Sequence, residues 1–199
     1  YIGSHVVYSL LAAGYTVAVI DDLSAGQRQV LPREIEFIEG NAGNQKLVTD
    51  LARDMDISAV LHFAGSIVAS DSVTDPLQYY KNNTSVSRNL LAACTDAEIR
   101  KFIFSSSALV YGAPFSLPIN ENSPTNPSTP YGKSKLMTEW MLEDVSNATG
   151  LQFAVLRYFN VGGADPLGRT GQCSPAATNL LKIASEVVTG TRPDLVIHG

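Results

Sequence analysis

The chain has 199 residues, 45% of them apolar and 17% charged, with 14 basic against 19 acidic side chains and a net charge of −5. So apolar a composition with so little net charge excludes a disordered chain, and the length suits one ordinary domain, or one and a part. The mildly acidic balance offers no general attraction for nucleic acid or anionic membranes, no apolar run approaches the roughly 20 residues of a membrane span, and no secretory signal is visible.

Apolar positions at helical spacing over Ser4–Ala13 precede a β-branched strand at Thr16–Ile20. A second strand is predicted at Ile35–Ile38, a helix at Lys46–Arg53 and a third strand at Ala59–Phe63. A long helical stretch, Pro76–Thr95, leads to a strand at Lys101–Ser105, a helix at Tyr131–Ala148 and a strand at Gln152–Arg157. The strand runs are continuous rather than alternating, as expected of parallel strands covered on both faces. This order predicts an α/β fold, a Rossmann-like doubly wound parallel sheet with right-handed crossovers. Two stretches break the rhythm. Ala113–Pro130 holds five of the ten prolines and reads as a surface loop, with Thr129 placed to cap the next helix and Pro130 at its first position. Val161–Cys173 is irregular and glycine-rich. Cys94 and Cys173 lie far apart with no CxxC pairing, which fits free thiols in a reducing compartment. His5, His62 and His198 have no ligand spacing, so no metal site is expected.

Ligands of doubly wound sheets bind at the carboxyl ends of the strands. There the sequence places Asp21-Asp22, Glu39-Gly40-Asn41-Ala42, Phe63-Ala64-Gly65, Ser105-Ser106-Ser107 and Phe159-Asn160. Tyr1-Ile2-Gly3 before a helix looks like the tail of a glycine-rich nucleotide turn. Asp21 follows Gly3 by 18 residues, near the ~20 of the acid that binds an NAD ribose, and its charge disfavours NADP. A helix-start glycine and a solvated acidic turn are the plain alternative. Tyr131 and Lys135, four apart at a helix start, share one face. A phenol titrates near ~10, and a neighbouring ammonium and the positive helix end both favour its phenolate. A shift of ~3 units needs roughly 4 kcal/mol. Ser107, at a strand end, can pass a sugar hydroxyl's proton to Tyr131, so that an alcohol becomes a ketone while NAD takes hydride.

Tyr1–His5, His62–Gly65, Tyr79–Asn83, Phe102–Gly112, Pro130–Met137 and Leu156–Asn160 together carry a resemblance along the whole chain. It is to the extended short-chain dehydrogenase/reductase family, and within it to the nucleotide-sugar 4-epimerases. The resemblance implies Tyr131 as catalytic base, Lys135 as its partner and Ser107 as the hydroxyl that orients the sugar. It implies NAD contacts from Tyr1, Ile2 and Gly3, from the turn of Asp21, Asp22, Leu23, Ser24, Ala25 and Gly26, and from Asn41 and Ala42. Phe63, Ala64, Gly65, Ser66, Ile67, Asn82 and Phe159 complete that set. Asn160, Asn179 and Leu180 are the implied contacts to a UDP-sugar. The implied reaction interconverts UDP-galactose and UDP-glucose through a 4-keto sugar.

Dehydrating relatives carry an Asp-Glu pair after the strand-end hydroxyl, where this chain has Ala108-Leu109. Leu109, Asn41 and Ile67 depart from the threonine, aspartate and lysine found in other members. The family has a strand and two glycines before Tyr1 and most of a substrate domain after Gly199. A fragment is therefore expected, with 1–160 an NAD-binding domain lacking its first strand and 161–199 the start of the substrate region. Family resemblance further implies a cytoplasmic homodimer formed through the Pro76–Thr95 and Tyr131–Ala148 helices, and a uracil pocket near His198. A 4-epimerase for another nucleotide sugar and a non-catalytic NAD-binding module are the competing readings.

Overall fold

The predicted strands and helices form with ends displaced by at most two residues, except that the helix predicted over Pro76–Thr95 is broken into pieces. A computed structural model describes residues 1–114, 116–174 and 179–196. In chain order the elements are α1 (Ile2–Ala12), β1 (Ala18–Asp21), β2 (Glu36–Glu39), α2 (Gln45–Asp54), β3 (Ala59–His62), α3 (Ala69–Thr74) and α4 (Pro76–Tyr79). A π-helical turn (Tyr80–Ser85) joins α4 to α5 (Val86–Asp96), followed by β4 (Lys101–Ser105), α6 (Pro130–Thr149), β5 (Gln152–Leu156) and α7 (Leu180–Val188). The chain divides into two compact units, 1–39 with 160–199, and 40–159.

In the first unit β1 and β2 pair in parallel, from Ala18 opposite Glu36 to Asp21 opposite Glu39. The irregular 160s stretch is fastened to α1. The Tyr1 hydroxyl donates to the Gly163 carbonyl at 2.8 Å, and the buried hydroxyls of Ser4 and Thr170 share a 2.6 Å hydrogen bond. Arg169, paired with Asp165 at 2.7 Å, lies over the Tyr8 ring.

In the second unit the strand order is β3-β4-β5, all parallel. The central strand behaves as its apolar run predicts: Phe102 and Phe104 are each 1% exposed. β5 departs from the expectation of cover on both faces, since Phe153 is 38% and Leu156 39% exposed. Among the described residues it has a ladder partner on one edge only. Helices α2, α5 and α6 pack in this unit, α5 against both others.

Local chemistry sets the helix that matters most. The Thr129 hydroxyl accepts from the Gly132 amide at 3.2 Å, and Pro130 fills a position where a missing N–H costs nothing. At its other end α6 stops on Gly150, whose φ of 76° is the left-handed conformation that glycine adopts freely. The predicted long helix over Pro76–Thr95 is interrupted. Asp75 caps the Pro76 turn through the Gln78 amide, and the widened turn at Tyr80–Ser85 then changes the helical phase before α5 begins. No helix among the described residues is long and apolar enough to cross a membrane.

Candidate active site

The three predicted catalytic residues lie in the second unit, at the carboxyl end of its sheet. Beyond the regular ladder, the Ser106 amide donates to the Leu156 carbonyl at 3.0 Å and the Ala108 amide to the Tyr158 carbonyl at 2.9 Å. These two bonds flank Ser107 and hold it extended. Its hydroxyl oxygen then accepts from the Leu109 amide at 3.2 Å and starts a short 3₁₀ turn, Ala108–Tyr111. α6 begins directly against that turn. A Cβ on Gly132 would lie 2.7 Å from the Leu109 carbonyl oxygen, so only glycine lets the Tyr131 turn approach so closely.

Lys135 is 3% exposed, donates from Nζ to the Ser105 carbonyl at 3.0 Å, and lies 5.0 Å over the Phe104 ring and 5.8 Å from the centre of the Tyr131 ring. Burial brings its pKa down to about 8. The Tyr131 phenol moves the opposite way from the sequence expectation. Burial raises it, hydrogen bonding with Ser107 draws it partly back, and the nearby phenols of Tyr79 and Tyr158 add to the rise. Loss of water around the ring outweighs the Ser107 hydrogen bond. Tyr79 braces Tyr131 edge to face, centroids 6.4 Å apart. His62, at the end of β3, is fully enclosed and shares a 2.9 Å hydrogen bond with the Ser87 hydroxyl. Burial, helped by the Lys135 charge, takes its pKa down to about 3 and keeps the ring neutral.

Around Lys135 the structure gathers part of the predicted dinucleotide set. Gly65 adopts φ +146°, and a Cβ there would sit 2.8 Å from Asn83 Oδ1 and 3.8 Å from Lys135 Nζ. The missing side chain lets the Asn83 amide pack against this backbone, beside the buried ammonium. The Asn82 amide donates to the Ser66 hydroxyl at 3.1 Å. Phe63 and Ala64 lie in the same loop after β3, and Ile67 is exposed. The residue that organises this loop is Asn83, which no sequence argument singled out. It is buried, accepts from the Ser66 amide at 2.8 Å, and donates to the Ser66 carbonyl and the Ser134 hydroxyl, each at 3.0 Å. Two adjacent asparagines after two tyrosines were a visible signal, but the phase of the π-helical turn decides which is turned inward.

Other predicted residues stand apart from this cluster. Asn41 and Ala42 precede α2, where Asn41 Oδ1 already accepts from the Gly43 amide at 2.7 Å and retains one lone pair. Phe159 is exposed at the end of the unit. Tyr1, Ile2, Gly3, the Asp21–Gly26 turn, Asn160, Asn179 and Leu180 all belong to the first unit. The Asp21–Gly26 turn is tightly built. Asp21 accepts from the Leu23 amide at 2.8 Å, Asp22 from the Ser24 amide at 3.0 Å, and a Cβ on Gly26 would meet the Asp21 carboxylate at 2.5 Å. Ala25 is exposed. Asn179 caps α7 through the Lys182 amide at 2.9 Å and donates to the Val161 carbonyl, and Leu180 is exposed. Cys94 is buried and Cys173 exposed. Among the described residues no three His, Cys, Asp or Glu side chains form a metal-holding group. The reading of His198 falls outside the described residues.

The model of the NAD dependent epimerase/dehydratase family matches residues 1–198. This chain belongs to that family. It is 54% identical over 199 residues to the UDP-glucose 4-epimerase of Azospirillum brasilense, covering 100% of this chain and 57% of the relative. The chain thus spans less than two thirds of the length of the curated relatives it matches. Among solved structures, the UDP-glucose 4-epimerase from Brucella ovis in complex with NAD matches with a TM-score of 0.93 and 39% identity, over 98% of this chain and 60% of that one. The enzyme of Stenotrophomonas maltophila, with bound NAD and formylated UDP-arabinopyranose, matches with a TM-score of 0.92 and 35% identity, over 98% and 61%. The α/β Rossmann-like architecture read from the sequence is that of these structural neighbours.

Proposed function

We propose that the protein containing this chain interconverts UDP-galactose and UDP-glucose with NAD as its resident cofactor. The observation that carries the reading is the convergence of Ser107, Tyr131 and a buried Lys135 at one sheet end, beside the side-chain-free backbone of Gly65. Ser107 orients the C4 hydroxyl of the sugar, and Tyr131 takes its proton as C4 becomes a carbonyl. When the 4-keto sugar has turned over in the site, Tyr131 returns the proton to the alcohol of the other configuration. When bound, NAD would supply hydride exchange at C4 and a positive ring that would favour the Tyr131 phenolate. Lys135 holds the Ser105 carbonyl and adds a second positive charge beside the phenol. Ala108-Leu109 offers no carboxylate after Ser107, which supports epimerisation over dehydration.

On this reading 1–160 is an NAD-binding domain, with Asp21 read as its ribose contact and Asn160, at its end, as a contact to the sugar nucleotide, and 161–199 begins the sugar-nucleotide region with Asn179 and Leu180. The exposed Trp140 on α6 supports a homodimer formed through the Pro76–Thr95 and Tyr131–Ala148 helical segments, and the free thiols of Cys94 and Cys173 support a cytoplasmic setting. The test is conversion of UDP-galactose to UDP-glucose by the full-length protein purified without added NAD. Turnover that drops by about 10³-fold in Tyr131→Phe bears the reading out. Bound NAD without conversion of either hexose overturns it, and favours a 4-epimerase for another nucleotide sugar, a reading supported by the pentose nucleotide in the Stenotrophomonas structure.

A further inference from the structure

One ionised cluster of the second unit takes no part in that chemistry. Glu139 lies one helical turn beyond Lys135 on α6 and is 7% exposed. Arg157, just past β5, grips its carboxylate from two nitrogens, Nη2 at 2.6 Å and Nε at 3.1 Å, both to Oε2. Its Nη1 continues to the Tyr111 hydroxyl at 2.9 Å and the Glu121 carbonyl at 3.3 Å, and the guanidinium lies over the Tyr111 ring. The other carboxylate oxygen accepts from Ser106, the residue immediately before Ser107. One carboxylate therefore ties together α6, the ends of β4 and β5, and the 3₁₀ turn that Ser107 begins.

Stability alone is a poor reason for such a cluster. Glu139 is taken out of water while Arg157 keeps 24% of its side chain exposed, and replacing such a pair by apolar residues is often neutral or stabilising. What a forked pair does supply is fixed geometry. Tyr131 and Glu139 are eight residues apart on one helix, about 12 Å along a rigid rod. Ser106 and Ser107 are neighbours on backbone pinned from both sides. Fixing Ser106 to Glu139 therefore fixes Ser107 relative to Tyr131.

We propose that the Glu139–Arg157 pair, with Ser106, is a positioning element that sets the separation of the Ser107 hydroxyl and the Tyr131 phenol. The inference rests on the reading of Ser107 and Tyr131 as the reacting pair. Besides Ser107, the groups facing that phenol are Tyr79 from α4, Tyr158 past β5 and Lys135 on α6.

The test is the paired variant Glu139→Leu/Arg157→Met in the full-length protein, which leaves no charge buried alone. Two readouts are taken. One is kcat and KM for UDP-galactose; the other is the titration of the Tyr131 phenol, followed by NMR of ring-labelled tyrosine and assigned with Tyr131→Phe. The unfolding midpoint is expected to hold while kcat falls about 10- to 100-fold with KM nearly unchanged, as for a reacting group displaced by about 1 Å. The phenol is expected to titrate higher as Ser107 withdraws. Arg157→Lys, which keeps the charge without the fork, is expected to fall between. A folded paired variant with unchanged kcat and an unmoved phenol overturns the proposal. Should the paired variant fail to fold, Ser106→Ala carries the same test, and an unmoved phenol there overturns the proposal equally. A shifted phenol in a protein that does not convert UDP-galactose upholds the positioning role and sinks only the epimerase reading.

Discussion

Lys135 Nζ lies 5.8 Å from the centre of the Tyr131 ring while donating at 3.0 Å to the Ser105 carbonyl. The ammonium is thus held by one backbone oxygen and two aromatic faces, with burial bringing its pKa down to about 8. An enclosed cation so sparsely partnered opposes folding, and that cost is retained for the charge it puts beside the phenol.

Lys135→Met is therefore expected to stabilise the fold at pH 7 while it suppresses turnover. The folded pKa lies below the unfolded value near 10.5, so the unfolded chain binds more protons between pH 8 and 10.5, and wild-type stability rises across that window. The variant's advantage, on the order of 3 kcal/mol at pH 7, should vanish as the pH approaches 10.5. Urea unfolding of both proteins at pH 7 and 10 measures it; an equal difference at the two values would count against the buried ammonium.

His62 gives a pH signature of the same sign in a lower window. Its folded pKa of about 3 lies below the ordinary value of 6.5, so stability is complete above pH 6.5 and falls as the pH drops toward 3. The slope this one ring contributes approaches 1.4 kcal/mol per pH unit. His62→Gln should flatten the acid limb of a stability profile, while Ser87→Ala, which strips the ring of its 2.9 Å partner, should cost about 1–3 kcal/mol at pH 7.

Gly132→Ala puts a methyl 2.7 Å from the Leu109 carbonyl oxygen and 2.9 Å from the Pro127 side chain. Since the first of these is backbone, the start of α6 must move, at a cost of about 1–3 kcal/mol. Tyr131, its neighbour, moves with it. We expect a lowered unfolding temperature and at least a tenfold loss in kcat, whereas alanine at Gly190, where nothing lies within 4 Å but φ is +73°, should cost about 1–2 kcal/mol of backbone strain and leave kcat unchanged.

Asn83→Ala should be far more damaging than Asn82→Ala. The first removes three hydrogen bonds of a buried side chain and leaves the Ser66 amide without a partner, a loss of about 2–4 kcal/mol; the second removes contacts at a partly exposed side chain. NAD content after gel filtration, together with the unfolding midpoint, distinguishes the two.

The parts of this fold legible in the sequence are those decided locally. Thr129 and Pro130 announce the start of α6 because capping and proline geometry need no tertiary partner. β4 is legible because Phe102 and Phe104 are apolar and indeed enclosed. β5 carries the same kind of run, yet its side chains are half-exposed, since burial depends on which strands pair. The helix over Pro76–Thr95 read as continuous because a single widened turn leaves apolar spacing almost intact. α3 and α7 were not anticipated, the first being barely a turn and a half with the polar sequence ASDSVT. Of the site, Ser107, Tyr131 and Lys135 were visible as residue types at meaningful spacing. Glu139 was not, because a carboxylate on a helix reads as solvated until Arg157 and Ser106 are seen around it. The rise of the Tyr131 phenol was missed for a related reason: a neighbouring charge shows in the sequence, the loss of surrounding water does not.

The half-covered β5 bears on how the chain behaves in a tube. Its segment Gln152-Phe153-Ala154-Val155-Leu156 carries no charge and no proline, and one edge of its backbone has no ladder partner among the described residues. Such an edge is a template on which a second extended segment can grow, and neither a lysine nor a proline within it blocks that growth. Concentrated solutions of these 199 residues should therefore gather into β-rich aggregates with time, and a lysine at Phe153 should slow that gathering more than a lysine at any exposed site on α2.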